Sequence, residues 1–225
     1  MEEKKFIQFK KAEFNVKEFV KKYLGKGKIS GVKIEYTPVG EKIVVATNKP
    51  GIVIGRRGEK ISELTDILKN KFKLENPHIE IQEITKPEFD AQIVADDIAT
   101  GLERAGSLKF KVIAYRTIQR IMGAGALGVE LRLSGRLPSE RAKSWRFAQG
   151  FLKKTGDTAK IVNRAQATAF TNMGVIGIKA SIMPADAKIH DRIDITEELK
   201  ARIKLPLEIE IKEEKPKPKR TRKKK

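Results

Sequence analysis

Residues 51–61 read GIVIGRRGEKI. Gly55 and Gly58 bracket Arg56 and Arg57, Lys60 follows, and aliphatic residues stand on both sides. Without Cβ atoms, the two glycines let the main chain come close to another molecule. A helix predicted to start near Glu59 would direct its unpaired N–H groups at phosphate oxygens. Arg56, Arg57 and Lys60 add positive charge at the same point. The chemistry this suits is a clamp on a sugar–phosphate backbone. The plainer alternative is a solvated turn, with two surface arginines, between buried segments.

Other glycine strings in the chain lack this setting. Gly123, Gly125 and Gly128 spell G-x-G-x-x-G, but the string follows a predicted helix and opens a strand. Dinucleotide binding needs the reverse order, so it reads as a helix end and turn. The G-x-x-G matches at 125–128 and 174–177 are neutral and lead into strands, so they read as turns. No phosphate-loop string G-x-x-x-x-G-K-[ST] occurs.

The whole composition favours a polyanionic partner. The chain has 225 residues, with 48 Lys+Arg against 29 Asp+Glu, a net charge of +19. Such charge is a statement about partners rather than fold, and nucleic acid leads. No apolar run is long enough to span a bilayer, and the N-terminus lacks the apolar core of a signal peptide, so a cytoplasmic location is expected. Cysteine is absent, and His78 and His190 lie far apart. No carboxylate or histidine cluster has ligand spacing, so neither a metal nor a cofactor is expected, and an enzyme is the weakest reading.

The elements that must hold the clamp follow from periodicity. A helix is predicted over 14–24, with Phe14, Phe19, Val20 and Tyr23 on or near one side. Strands follow over 31–38, where Val32, Ile34 and Tyr36 alternate, and over 42–50, joined by a hairpin turn. After the glycine stretch, Ile61, Leu64, Leu68 and Phe72 mark a helix face. Residues 78–84 alternate as a strand. A helix from Pro87 to about Gly106 buries Ile93, Ile98 and Leu102. Its Glu88, Asp90, Asp96, Asp97 and Glu103 should keep it away from a polyanion. Residues 1–107 thus form a first domain around one small sheet.

A second, two-layer α/β domain is predicted over 108–184. In the helix over 109–122, Phe110, Ala114, Ile118 and Ile121 share one face, and Lys109, Arg116 and Arg120 the other. Strands are expected over 127–137, within 143–156 and 159–166, and over 175–184, with a short helix over 167–174. Residues 130–164 carry nine Lys/Arg against three acids, net +6. Among them Arg132, Arg136, Arg141, Lys143 and Arg146 are candidate phosphate contacts. Trp145 and Phe147, interleaved with them, read as core. Residues 185–225 read as an extended segment and a basic tail broken by Pro216 and Pro218.

In its loop, flanks and element order, the first domain resembles the second topology of the K-homology (KH) fold. In that fold a G-x-x-G loop clamps about four nucleotides. Three stretches in order, GIVIGRRGEKI, GVELRLSGRLPSERAKSWRFAQG and TNMGVIGIKASIM, resemble the signatures of the universal small-subunit ribosomal protein S-three family. The RAKS following GRL is similar to the archaeal and eukaryotic branch. The resemblance spans about residues 10–184. It implies a non-enzymatic structural protein of the small-subunit head that binds ribosomal RNA. It also implies a site lining the channel by which mRNA enters, beside the S-ten and S-fourteen families. Bacterial members carry several basic residues on the helix matching 109–122. Here Lys111 is retained, but Val112 and Tyr115 occupy other such positions, and Lys109, Arg116 and Arg120 are candidate substitutes. A free-standing KH regulator of RNA is the alternative.

Nine of residues 212–225 are Lys or Arg. Deleting them should leave the melting temperature nearly unchanged and weaken RNA affinity, measured by thermal melts beside filter binding at fixed salt. A large fall in melting temperature would identify a structural element instead.

Overall fold

The computed structural model describes residues 2–38 and 40–187, so the predicted tail lies outside the described residues. Apolar side chains sort into two cores. The first joins α1 (Glu2–Leu24), β1 (Ile29–Thr37), β2 (Gly40–Thr47), α2 (Pro50–Ile54), α3 (Glu59–Phe72) and β3 (His78–Glu83). The strand order is β1-β2-β3, with β1 antiparallel and β3 parallel to β2. Val16, Val20 and Leu24 of α1 and Leu64 and Leu68 of α3 pack with Ile29, Val32, Ile43 and Val45 of the sheet. This mixed sheet and element order are those expected of the second KH topology.

Two elements of the first core depart from the sequence reading. Helix α1 starts at Glu2, not near residue 14. Its first half has little core contact: Phe6 is 62% exposed, and Phe14, expected on the buried side, is 64% exposed. Local pairs hold it instead. Acidic Glu2 and Glu3 complement the helix N-terminus, and Glu13 pairs with Lys10 at 2.8 Å and with Lys17, at helical spacing. The second departure precedes the glycine loop, where the chain forms a short helix rather than a buried strand end. Pro50 stands at its first turn, a position that needs no N–H donor. Only Val53 of α2 is buried, while Ile52 and Ile54 are exposed.

The second core holds α4 (Ala91–Ala105), α5 (Phe110–Gly123), β4 (Gly128–Gly135), β5 (Lys143–Gly150), β6 (Asn163–Thr171) and β7 (Gly174–Met183). The sheet is antiparallel throughout, in the order β5-β4-β7-β6. Both helices lie on one side of it, where Val129, Leu131, Leu133, Phe147, Ile178, Ala180 and Ile182 are buried. Trp145 and Phe147 join this core, as expected. The helix predicted over 167–174 is instead the end of β6 and its turn into β7. Ala165, Ala167 and Ala169 alternate toward the core, and small residues at period two let a helix lie close on a strand. Residues 151–162, expected to extend two strands, contain no strand and make a 3-10 turn at Asp157–Lys160.

Helix α4 is shared by both halves. Ile98, Ala99 and Leu102 lie in the second core. Its acids reach the first. The Asp90 carboxylate accepts from the N–H groups of Gln92 (2.9 Å) and Ile93 (3.3 Å), capping the helix, and from the Ser30 hydroxyl. Asp96, 9% exposed, accepts from the Gly27 N–H at 3.1 Å and Gln92 Nε2 at 3.2 Å. Burial pushes its carboxyl above the ordinary carboxylate range, against those bonds. Glu103 accepts from the Phe170 N–H at 3.0 Å and pairs with Lys26 at 3.5 Å. Three of the acids expected to face away from a polyanion, Asp90, Asp96 and Glu103, are thus engaged by the protein itself.

Asp90→Ala removes a helix cap and a tie to β1 together, and should destabilise the chain by ~1–2 kcal/mol. Denaturant unfolding checks this, with Ser30→Ala expected to lose less because the cap survives.

Candidate nucleic-acid interface

The glycine loop is a fixed turn. The Gly55 N–H closes α2 on the Gly51 carbonyl at 3.1 Å. At Gly55 φ is 76° and ψ −174°, and an added Cβ would lie 2.8 Å from Lys60 Cγ. Arg57 (φ 53°, ψ 23°) and Gly58 (φ 80°, ψ 6°) are successive left-handed residues that turn the chain into α3. No side chain caps α3, although the Glu59 N–H already donates to the Arg56 carbonyl, so an incoming acceptor would meet the N–H groups that follow it. Arg56, Arg57 and Lys60 are exposed. Exposed Ile52 and Ile54 place apolar surface beside these charges, which bases and sugars could cover.

A second set of candidates lies on α5. Lys109, Lys111, Arg116 and Arg120 are all exposed. Lys111 Nζ sits 4.6 Å from the Trp145 ring centroid, a cation–π contact. Arg120 is drawn to Asp97 at 3.3 Å and is the least available of the four. Between the cations Leu108, Val112 and Tyr115 are exposed by 74%, 67% and 57%. This face therefore mixes charge with apolar surface, and positions 112 and 115 do point outward.

The third set surrounds the β4–β5 hairpin. Arg141 and Lys143 are exposed. Arg136 donates to the carbonyls of Glu140 (2.9 Å) and Met173 (3.3 Å), bracing one hairpin against the other. Arg132 and Arg146 stand opposite one another and converge on Glu130. That carboxylate, 6% exposed, takes Arg132 Nε at 2.8 Å, Arg146 Nε at 3.0 Å and Lys154 Nζ at 2.8 Å. The bond from Arg146 foremost, with those from Lys154 and Arg132, holds its pKa down to about 2 against the opposing effect of burial. The candidates thus form a loop set on the first core and two sets on the second. Among the described residues no group of three or more His, Cys, Asp or Glu could hold a metal ion, and no helix is long and apolar enough to cross a membrane.

Residues 15–89 match the KH domain family, and residues 98–182 match Ribosomal protein S3, C-terminal domain. Small ribosomal subunit protein uS3 of Methanocaldococcus jannaschii is 38% identical over 203 residues, 90% of this chain and 97% of that protein. The protein of the same name from Methanobrevibacter smithii is 38% identical over 196 residues, 87% of this chain and 78% of its own length. The chain belongs to the uS3 family.

Sequence reading missed three cations of this uS3 chain: Lys154, Arg164 and Lys179. Strand register sets Lys179 opposite Arg132 and Arg164 in the row of Glu130, while Lys154 reaches Glu130 from the segment after β5. The alternation of Ile178, Lys179 and Ala180 signalled only that Lys179 faces away from the core.

Glu130→Gln should lower stability at neutral pH by ~1–2 kcal/mol, leaving three cations without their anion. The sign follows from a folded pKa below the unfolded one. The carboxylate's contribution is full above its ordinary value of 4.5 and is lost as pH falls through about 2. Unfolding curves of wild type and variant should therefore be well separated at pH 7 and converge toward pH 2.

Proposed function

We propose that this chain is a structural, non-enzymatic constituent of the small ribosomal subunit in the cytoplasm. It binds small-subunit ribosomal RNA through the Gly55–Gly58 loop and its basic surfaces. It sits in the subunit head with the face carrying Lys109, Lys111 and Arg116 toward incoming mRNA, next to S-ten and S-fourteen family proteins. The observation that carries the reading is the match across 97% of a relative named for that subunit. The loop geometry supports it: two cations at a left-handed turn, ahead of a helix start with no side-chain cap. The two-domain organisation is kept, with α4 as the shared element. Co-sedimentation with small subunits after a high-salt wash tests the role. Release into the supernatant, with RNA affinity intact, would favour a free-standing KH regulator.

The loop is tested by Arg56→Asp with Arg57→Asp, both glycines kept. The intact chain is required, because cutting after residue 107 would strip α4 from the second core. Aspartate suits a helix start and tolerates left-handed backbone, so stability should change by roughly 0.5 kcal/mol or less. Affinity for single-stranded RNA should fall severalfold at fixed salt. Unchanged affinity in the folded variant would return the loop to a plain turn.

A further inference from the structure

The side of the second sheet away from α4 and α5 carries an unusual row of charge. Register places Arg146, Arg132 and Lys179 directly opposite one another on β5, β4 and β7. Gln166 of β6 continues the row. Neighbouring strands lie about 4.8 Å apart, and like charges directly opposite destabilise a sheet. The next row holds Glu130, Ser181 and Arg164. Lys154 reaches in from the segment after β5 to pair with Glu130. Glu130, Arg132, Lys154, Arg164, Lys179 and Ser181 border a shallow recess of about 250 Å³, and Arg146 stands beside it on β5.

One buried carboxylate does not neutralise this face. Arg132, Arg146, Lys154, Arg164 and Lys179 are five cations, and Glu130 is one anion, so the face keeps a charge of +4. Among the described residues Lys179 forms no ion pair, and the Arg164 side chain bonds only the Lys154 carbonyl, at 3.5 Å. Glu130 takes the Nε of both Arg132 and Arg146. That fixes the two guanidinium planes and leaves further N–H donors on each for an outside acceptor. Both arginines are more than half exposed. Planar forks, an ammonium and the Ser181 hydroxyl around a small recess suit a tetrahedral oxyanion.

We propose that this recess binds a phosphodiester group of an RNA strand crossing the second sheet, with Glu130 as the positioning residue that aligns Arg132 and Arg146. The RNA source rests on the ribosomal reading above. The site is separate from the Gly55–Gly58 loop and adds Lys154, Arg164 and Lys179 to the interface.

The test uses full-length protein and purified small-subunit ribosomal RNA in filter binding over a salt series, with melting curves for every variant. Arg164→Gln with Lys179→Gln alters exposed side chains. It should weaken binding severalfold and flatten the log–log salt slope by up to roughly 0.7 to 0.9, the contribution of the one phosphate held in the recess. Glu130→Gln adds a net positive charge yet should bind more weakly, because the arginines lose their alignment. Tighter binding by a folded Glu130→Gln protein would mean a diffuse field and overturn the site. So would an unchanged slope in the Arg164/Lys179 variant. Inorganic phosphate should compete somewhat better than chloride at equal ionic strength, and no advantage over chloride would overturn the oxyanion recess; full displacement of the RNA by phosphate would mean a site for the free ion. A photocrosslinker at Gln166 in assembled subunits should label RNA, and labelling of an acidic protein segment instead would overturn the proposal. Wild-type protein that prefers small-subunit RNA no more than transfer RNA would sink the ribosomal reading too. An unchanged Arg164/Lys179 variant beside a weakened Arg56/Arg57 variant would sink this site alone.

Discussion

Asp90 and Asp96 fasten the first core to a helix that the second core has already buried. Helix α4 has few spare surfaces: its apolar residues lie under the second sheet, while these two carboxylates receive Ser30 and Gly27 from around the start of β1. A buried carboxylate is tolerable only with its acceptors occupied, so the turn carrying Gly27 is held wherever α4 goes. The halves are therefore joined through one helix used on opposite sides, rather than by a linker between finished domains. The KH match ends at residue 89, just before α4, which agrees with a helix that the first sheet does not own.

That arrangement also sorts charge. Acids on α4 and β4 are engaged inside the protein, by Gly27, Gln92, Lys26 and the Arg132–Arg146–Lys154 group. The excess of Lys and Arg among the described residues consequently appears on outward surfaces. Glu130 makes the point most directly. It reduces repulsion among three cations and holds two of them in defined orientations, which raises order while leaving the sheet face positive. The proposed RNA site draws on both properties, since an unaligned set of lysines attracts any polyanion equally.

Much of this was legible from residue order. Helical periods at 61–72 and 109–122, alternation at 127–137, and the glycines with arginines at 55–58 each correspond to real elements. Failures came where tertiary context overrode local pattern. Phe14 reads as a core residue, but charge pairs along α1 hold that half of the helix without a core, and the ring is exposed. Residues 167–171 look helical, yet a β7 neighbour and a covering helix make them a strand. Lys179 and Arg164 became site candidates only through register, which depends on partners distant in sequence.

Arg57 carries a final consequence. With φ at 53° it occupies a conformation that disfavours a side chain with a Cβ by roughly 1–2 kcal/mol, and that glycine or asparagine would accept more readily. The loop nonetheless takes this bend between α2 and α3. A ligand arriving there meets a surface whose ordering entropy was already spent during folding, so contact there can be fast and shallow without being loose.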